Sequence, residues 1–112
     1  MENEFLVLLI TAPNDESGRE IARALVEKRL AACVNLLPGV TSMYHWEGKL
    51  QEDSEVLLIC KTHRSRLAAL EEEVKSLHPY QVPEIIALPV VAGLQTYLTW
   101  VGEIVQMPDS AS

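Results

Sequence analysis

The chain has 112 residues, enough for one domain with a real core but not for two. It carries 9 Lys and Arg against 16 Asp and Glu, a net charge of −7, with no basic run. Nucleic acid and anionic membrane surfaces, which reward clustered cations, are excluded as partners. No stretch approaches the ~20 apolar residues of a membrane span. The start, Met1-Glu2-Asn3-Glu4, lacks the basic region of a signal peptide, so the expected compartment is the cytoplasm.

In chain order, Phe5–Ile10 reads as a strand that is apolar on both faces, ended by Thr11-Ala12-Pro13. Asn14 is placed to cap a helix whose first turn holds Asp15 and Glu16, favourable against the helix dipole. Ile21, Ala22, Leu25, Val26 and Leu30 recur at helical spacing. A second strand starts at Ala32, is interrupted at Pro38-Gly39 and resumes to Trp46. Glu47-Gly48 makes a two-residue turn, with Gly48 free to take positive φ. A third strand runs from Lys49 to Thr62, where Thr62 can cap a second helix striped by Leu67, Leu70, Val74 and Leu77. His78-Pro79 stops that helix. Ile85–Val91 is a fourth strand, and Pro89 in it argues for a sheet edge or a bulge. Leu94, Tyr97, Leu98, Val101 and Val105 suggest a short third helix, with Tyr97 and Trp100 packing it on the core. Residues 1–112 are thus one domain, with 105–112 expected to fray.

The order β-α-β-β-α-β plus a terminal helix is the ferredoxin-like pattern of an α+β protein. Two features of that pattern call for partners. The arm from Lys49 would span about 46 Å, beyond a globule only about 35 Å across. Two helices cover one sheet face, yet the strands are apolar on both. An overhanging hairpin and an uncovered apolar face both predict an obligate oligomer.

Cys33 and Cys60 are too few for a disulfide framework. If the pairing of Trp46 with Lys49 holds along the whole hairpin, Cys60 faces Asn35 and Cys33 lies diagonally on the same face. At ~7–8 Å such neighbours are too far apart for an easy disulfide. Two buried, inert thiols are expected, although Pro38-Gly39 could shift the register by a bulge.

Chemistry-bearing residues concentrate in His78-Pro79-Tyr80-Gln81-Val82-Pro83-Glu84. His78 is either a metal ligand or proton-transfer group, or a cap on the last carbonyls of its helix. Glu84, at the mouth of an apolar strand, wants a partner, and Lys61 is the candidate. Their pair is a structural salt bridge or one wall of an anion site. Tyr44 and Trp46 share a strand face and serve as a ligand wall or a subunit anchor; His45 points the other way. Glu71-Glu72-Glu73 reads as a solvated helix face.

Thr11-Ala12-Pro13, Lys28–Cys33, Tyr44-x-Trp46-Glu47-Gly48-Lys49, Lys61-Thr62, His78-Pro79-Tyr80-x-x-Pro83-Glu84 and Tyr97-Leu98-x-Trp100 together closely resemble the CutA divalent-cation-tolerance family. The resemblance runs from Phe5 to Val105. It implies a ferredoxin-like subunit in a tight homotrimer, architecturally similar to PII signalling proteins, in a cytoplasmic protein linked to copper and other divalent metals. The resemblance further implies copper binding in some bacterial members, through a cysteine before Thr-Ala-Pro and two adjacent histidines before Pro-Tyr. Here those positions are Ile10, Leu77 and His78, so only His78 is kept, and one imidazole is not a copper site. No cofactor is firmly implied. The expected function is a non-enzymatic, trimeric binding or signalling protein of metal tolerance. The alternative is a PII-like sensor of a small anionic metabolite near Lys61, Tyr80 and Glu84. An enzyme using His78 and Glu84 as acid and base ranks last, because no activated nucleophile accompanies them.

Overall fold

The computed structural model describes residues 4–106, and the order of its elements is β1 (Phe5–Ala12), α1 (Asp15–Glu27), β2 (Cys33–Trp46), β3 (Lys49–His63), a 3-10 turn (Arg64–Arg66), α2 (Leu67–Leu77), β4 (Ile85–Pro89) and α3 (Gln95–Val105). The strands form one antiparallel sheet in the order β2-β3-β1-β4. The fold is therefore α+β, with a four-stranded sheet and three helices.

Each element has a local cause. The Asn14 side chain accepts from the Ser17 amide at 2.8 Å and starts α1, whose Ile21, Ala22 and Leu25 are buried. Leu6, Leu8 and Ile10 of β1 alternate onto the same layer as Val56, Leu58 and Cys60 of β3. Leu70 and Val74 of α2 close that core from above. Arg29, at φ 58, and the Lys28 cap end α1 three residues before the expected Leu30.

The second face of the sheet is covered only at one end. There Val101 and Val105 of α3 pack with Phe5 and Ala32. Leu37, Ile86 and Leu88 are exposed on that face, and Val7, Leu9, Leu57 and Ile59 are half-buried. Tyr97 and Trp100 are not the core anchors expected of them, being 40% and 41% exposed, with ring centroids 5.7 Å apart. The stripe that buries α3 is Val101 and Val105, one turn further on. Val105 thus closes a helix rather than opening a frayed tail; residues 107–112 lie outside the described residues.

The hairpin overhangs as expected, and the chain is 47 Å in its longest dimension. Glu47 and Gly48 both take positive φ, 54° and 77°, in the two-residue turn. Toward the tip, Trp46 pairs with Lys49 and Tyr44 with Gln51. Between Leu37 and Val40 the register slips by one residue, with Gly39 at φ 77. This bulge corrects the cysteine geometry. Cys60 faces Val34 and Cys33 faces Lys61, so the two thiols lie on opposite faces of the sheet. Both are free; Cys60 is buried, but Cys33 is only partly so.

Thr62 does not cap the second helix. A 3-10 turn intervenes, and the His63 side chain caps it by accepting from the Ser65 amide at 3.1 Å. The buried Thr62 hydroxyl instead donates to the Leu30 carbonyl at 2.6 Å. β4 ends at Pro89, short of the expected Val91, and lies at the sheet edge where a proline is tolerated. Among the described residues, no helix is long and apolar enough to cross a membrane.

Candidate functional site

Where the hairpin arm leaves the sheet, the linker from His78 to Glu84 folds back against it. The two enclose an open cleft of about 810 Å³, lined by Thr11, Ser42, Met43, Tyr44, Trp46, Glu55, Pro79, Tyr80, Gln81, Val82 and Glu84. It lies on the sheet face away from α1 and α2, because Glu55 continues the alternation of Leu57 and Ile59.

His78 holds the linker in place. It is 7% exposed, and its Nε2 lies 2.7 Å from the Thr11 carbonyl on β1. The Tyr80 amide donates to Nδ1 at 3.1 Å. A carbonyl on one nitrogen and an N–H on the other fix the neutral tautomer protonated at Nε2. The side chain therefore does not cap helix carbonyls; it pins the linker to β1. The Tyr80 ring packs against that of His78 at a tilt of 45°, with centroids 4.9 Å apart.

Each of two phenols then meets a carboxylate on β3. The Tyr80 hydroxyl donates to Glu55 Oε2 at 2.9 Å, and the Tyr44 hydroxyl donates to Asp53 Oδ2. Burial, and then the bond to Glu55, push the Tyr80 phenol up to about 12, so it stays a donor at physiological pH. The bond to Asp53 likewise raises Tyr44. Glu55 is only 6% exposed.

Of the six residues singled out in the sequence, four line the cleft: Tyr44, Trp46, Tyr80 and Glu84. Lys61 is elsewhere. It sits opposite Val7 and Cys33 and donates to the Asn35 side chain, so the expected Lys61–Glu84 pair is not made. Four residues of strand separate Lys61 from the level of Glu84, more than a salt bridge can span. Asp53 and Glu55 were missed. Asp53 is diagonal to Tyr44 in the tip register, which the turn alone predicts; the Tyr80–Glu55 bond joins distant segments and leaves no local signal.

The residues present do not fit a resident copper ion. Both ring nitrogens of His78 are engaged within the chain, Ile10 and Leu77 offer no donor, and among the described residues no three His, Cys, Asp or Glu side chains gather as a ligand set.

Residues 6–104 match the sequence model of the CutA1 divalent ion tolerance protein family. A CutA homolog of Xenopus laevis is 56% identical over 96 residues, 86% of this chain and 64% of that protein. The divalent-cation tolerance protein CutA of Thermus thermophilus is 56% identical over 97 residues, 87% of this chain and 94% of that one. The chain thus spans less than two thirds of the animal relatives but nearly all of the bacterial one. The crystal structure of CutA1 from Oryza sativa superposes with a TM-score of 0.90 at 47% identity, covering 94% of this chain and 96% of that chain. Other relatives carry the words chloroplastic (Arabidopsis thaliana) and periplasmic (Archaeoglobus fulgidus) in their names. By the family model and by these likenesses in sequence and fold, the chain belongs to the CutA1 divalent ion tolerance family.

Proposed function

We propose that this chain is a non-enzymatic binding or signalling protein of divalent-metal tolerance, copper included, that acts as a homotrimer of ferredoxin-like subunits. The element order and the β2-β3-β1-β4 sheet support the ferredoxin-like reading. One observation carries the binding role: an open cleft of about 810 Å³ walled by Tyr44, Trp46 and Tyr80, within the roughly 300–1,000 Å³ of small-molecule sites. Among the described residues, neither the Ser42 nor the Thr11 hydroxyl of its lining is hydrogen-bonded to a base, which supports binding over catalysis.

Assembly is supported by the exposed Leu37, Ile86 and Leu88 on the sheet face away from α1 and α2 and by Trp46, 57% exposed on the overhanging arm. The PII-like alternative, a sensor of a small anion, has less support, since no Lys or Arg among the described residues lines the cleft. The cytoplasm remains the proposed compartment, where the free Cys33 and Cys60 would persist as thiols.

Sedimentation tests the assembly. A trimer should persist at nanomolar concentration, and Trp46→Ala should weaken it more than Trp100→Ala. A folded, soluble monomer would sink the proposal. Expression in a bacterium lacking its own CutA tests the role: the parent chain should restore growth at raised copper, and failure by a well-folded trimer would count against metal tolerance.

A further inference from the structure

The linker from His78 to Glu84 is tied down by bonds made wholly within one chain, and they hold in the assembled protein whatever a neighbouring subunit covers. His78 and Glu55 are 7% and 6% exposed, and assembly only buries them further. The first tie is the imidazole, whose Nε2–H donates to the Thr11 carbonyl at 2.7 Å and whose Nδ1 accepts from the Tyr80 amide at 3.1 Å. The second is the Tyr80 hydroxyl on Glu55, at 2.9 Å. The first tie works in one protonation state. A neutral ring offers one donor and one acceptor, and both are used here; the imidazolium has two donors and no acceptor. A second proton, on Nδ1, therefore faces the Tyr80 N–H donor to donor, and a half-buried N–H stripped of its acceptor is costly.

Imidazoles change charge between about pH 5 and 8, and the core under the helices does not. Its one ionisable group among the described residues is Cys60, whose thiol burial pushes up to about 12. The charged groups around the ring do not replace the lost acceptor. β1 brings no ionisable side chain. α2 carries Glu71, with Glu72 paired to Lys75 and Glu73 to Lys28. α1 opens with Asp15, paired to Arg19, and Glu16. β3 presents Glu55, at the hydroxyl end of Tyr80, and the linker adds Glu84. Among the described residues none of these carboxylates pairs with His78. We propose that His78 is an acid-sensitive latch, whose protonation at Nδ1 releases the Tyr80 amide and frees the linker from β1 while the core stays folded. The latched chain binds one proton fewer than the released one, so the latch is tightest at the top of the imidazole range and weakens as pH falls through it. Release carries Tyr80 and Glu84 off the cleft wall, so the cleft is formed at neutral pH and dismantled in acid, whatever it holds.

The full chain in its assembled state is followed by NMR from about pH 8 to pH 5. The ring nitrogens of His78 should show Nε2 protonated and Nδ1 bare at the top of that range, and both protonated at the bottom. Over the same range the protection of the Tyr80 amide against hydrogen exchange should fall about tenfold or more, while that of Leu8 in the core changes less than about twofold. The two curves, His78 ring and Tyr80 amide, should share a midpoint. His78→Gln keeps an N–H for Thr11 and an oxygen for the Tyr80 amide but takes no proton, so Tyr80 protection should be flat in it. If that variant does not fold, the shared midpoint in the parent decides. Glu55→Gln keeps an acceptor for the Tyr80 hydroxyl and should retain the pH dependence.

A Tyr80 amide that stays protected while His78 takes its second proton overturns the latch, and so does a ring that takes no second proton by the bottom of the range. Tyr80 and Leu8 losing protection together overturns it as well, since the whole chain is then unfolding in acid. A pH dependence that survives in His78→Gln, or vanishes in Glu55→Gln, moves the switch off the imidazole and refutes the assignment.

Discussion

Replacing His78 with alanine separates a structural imidazole from a metal-binding one. The ring carries two hydrogen bonds, Nε2–H to the Thr11 carbonyl at 2.7 Å and Nδ1 from the Tyr80 amide at 3.1 Å. Each is worth about 1 kcal/mol net, and a buried carbonyl stripped of its donor adds about 1–3 kcal/mol. The expected loss is therefore about 3–5 kcal/mol, before any cost of the vacated ring volume. His78→Phe refills that volume and restores neither bond, so it should remain destabilised. The assay is urea unfolding at one fixed protein concentration, because assembly makes stability concentration-dependent. It is then repeated with Cu(II). If His78 acts only through Thr11 and Tyr80, the loss is the same with and without the metal. A copper ion held through His78 at 100 times its Kd would instead stabilise the parent by ~2.7 kcal/mol and leave the variant unmoved. That outcome, or a loss below about 0.5 kcal/mol in His78→Ala, refutes the reasoning.

Two further predictions concern the core. Burial pushes the Cys60 thiol up to about 12 against the weaker opposing pull of Lys61, so the folded state holds that proton more tightly than the unfolded chain. Its contribution is complete below the unfolded thiol value, about 8.5, and is lost as pH rises toward 12; unfolding measured on the alkaline limb should flatten in Cys60→Ala, and rapid native-state alkylation of Cys60 near neutral pH would contradict the burial. Thr62→Val, nearly isosteric, removes the 2.6 Å bond to the Leu30 carbonyl and should cost about 1–3 kcal/mol by urea unfolding; an unchanged midpoint would mean the carbonyl finds another donor.

Much of the fold is legible in the sequence because its signals are local. Asn14 three residues before Ser17 is a cap whatever lies elsewhere, and Glu47-Gly48 between β-rich runs is a turn. Thr62 misled because its hydroxyl bonds the buried Leu30 carbonyl, 32 residues away, and not a local amide. Tyr97 and Trp100 misled because an apolar stripe on a helix names several faces, and only the position of Phe5 decides which is buried. The cleft follows the same division. Tyr44 and Trp46 share a face by strand period alone, whereas the bond from Tyr80 to Glu55 depends on how the α2–β4 linker returns to the hairpin. Lys61 looked like a partner for Glu84 because both carry charge near strand ends, but alignment of β3 and β4 on β1 sets them at different levels.

The bulge at Pro38-Gly39 is what places an aromatic wall in that cleft. On the core side of it, Val34 and Leu36 pair with Cys60 and Leu58 and pack under the helices. By strict alternation Tyr44 and Trp46, also even-numbered, would share that helix-side face. The extra residue between Leu37 and Val40 reverses the parity of β2 relative to β3. Val40 comes to face Glu55, and Tyr44 faces Gln51, with Asp53 diagonal to it. Beyond the bulge, then, the even residues of β2 join the odd residues of β3, on the face that carries Leu57 and Ile59. One inserted residue thus lets the same strand bury aliphatic side chains under α1 and α2 and present aromatic ones to Tyr80. Gly39, at φ 77 with nothing within 4 Å of where a Cβ would stand, is required there for its backbone conformation and not for space.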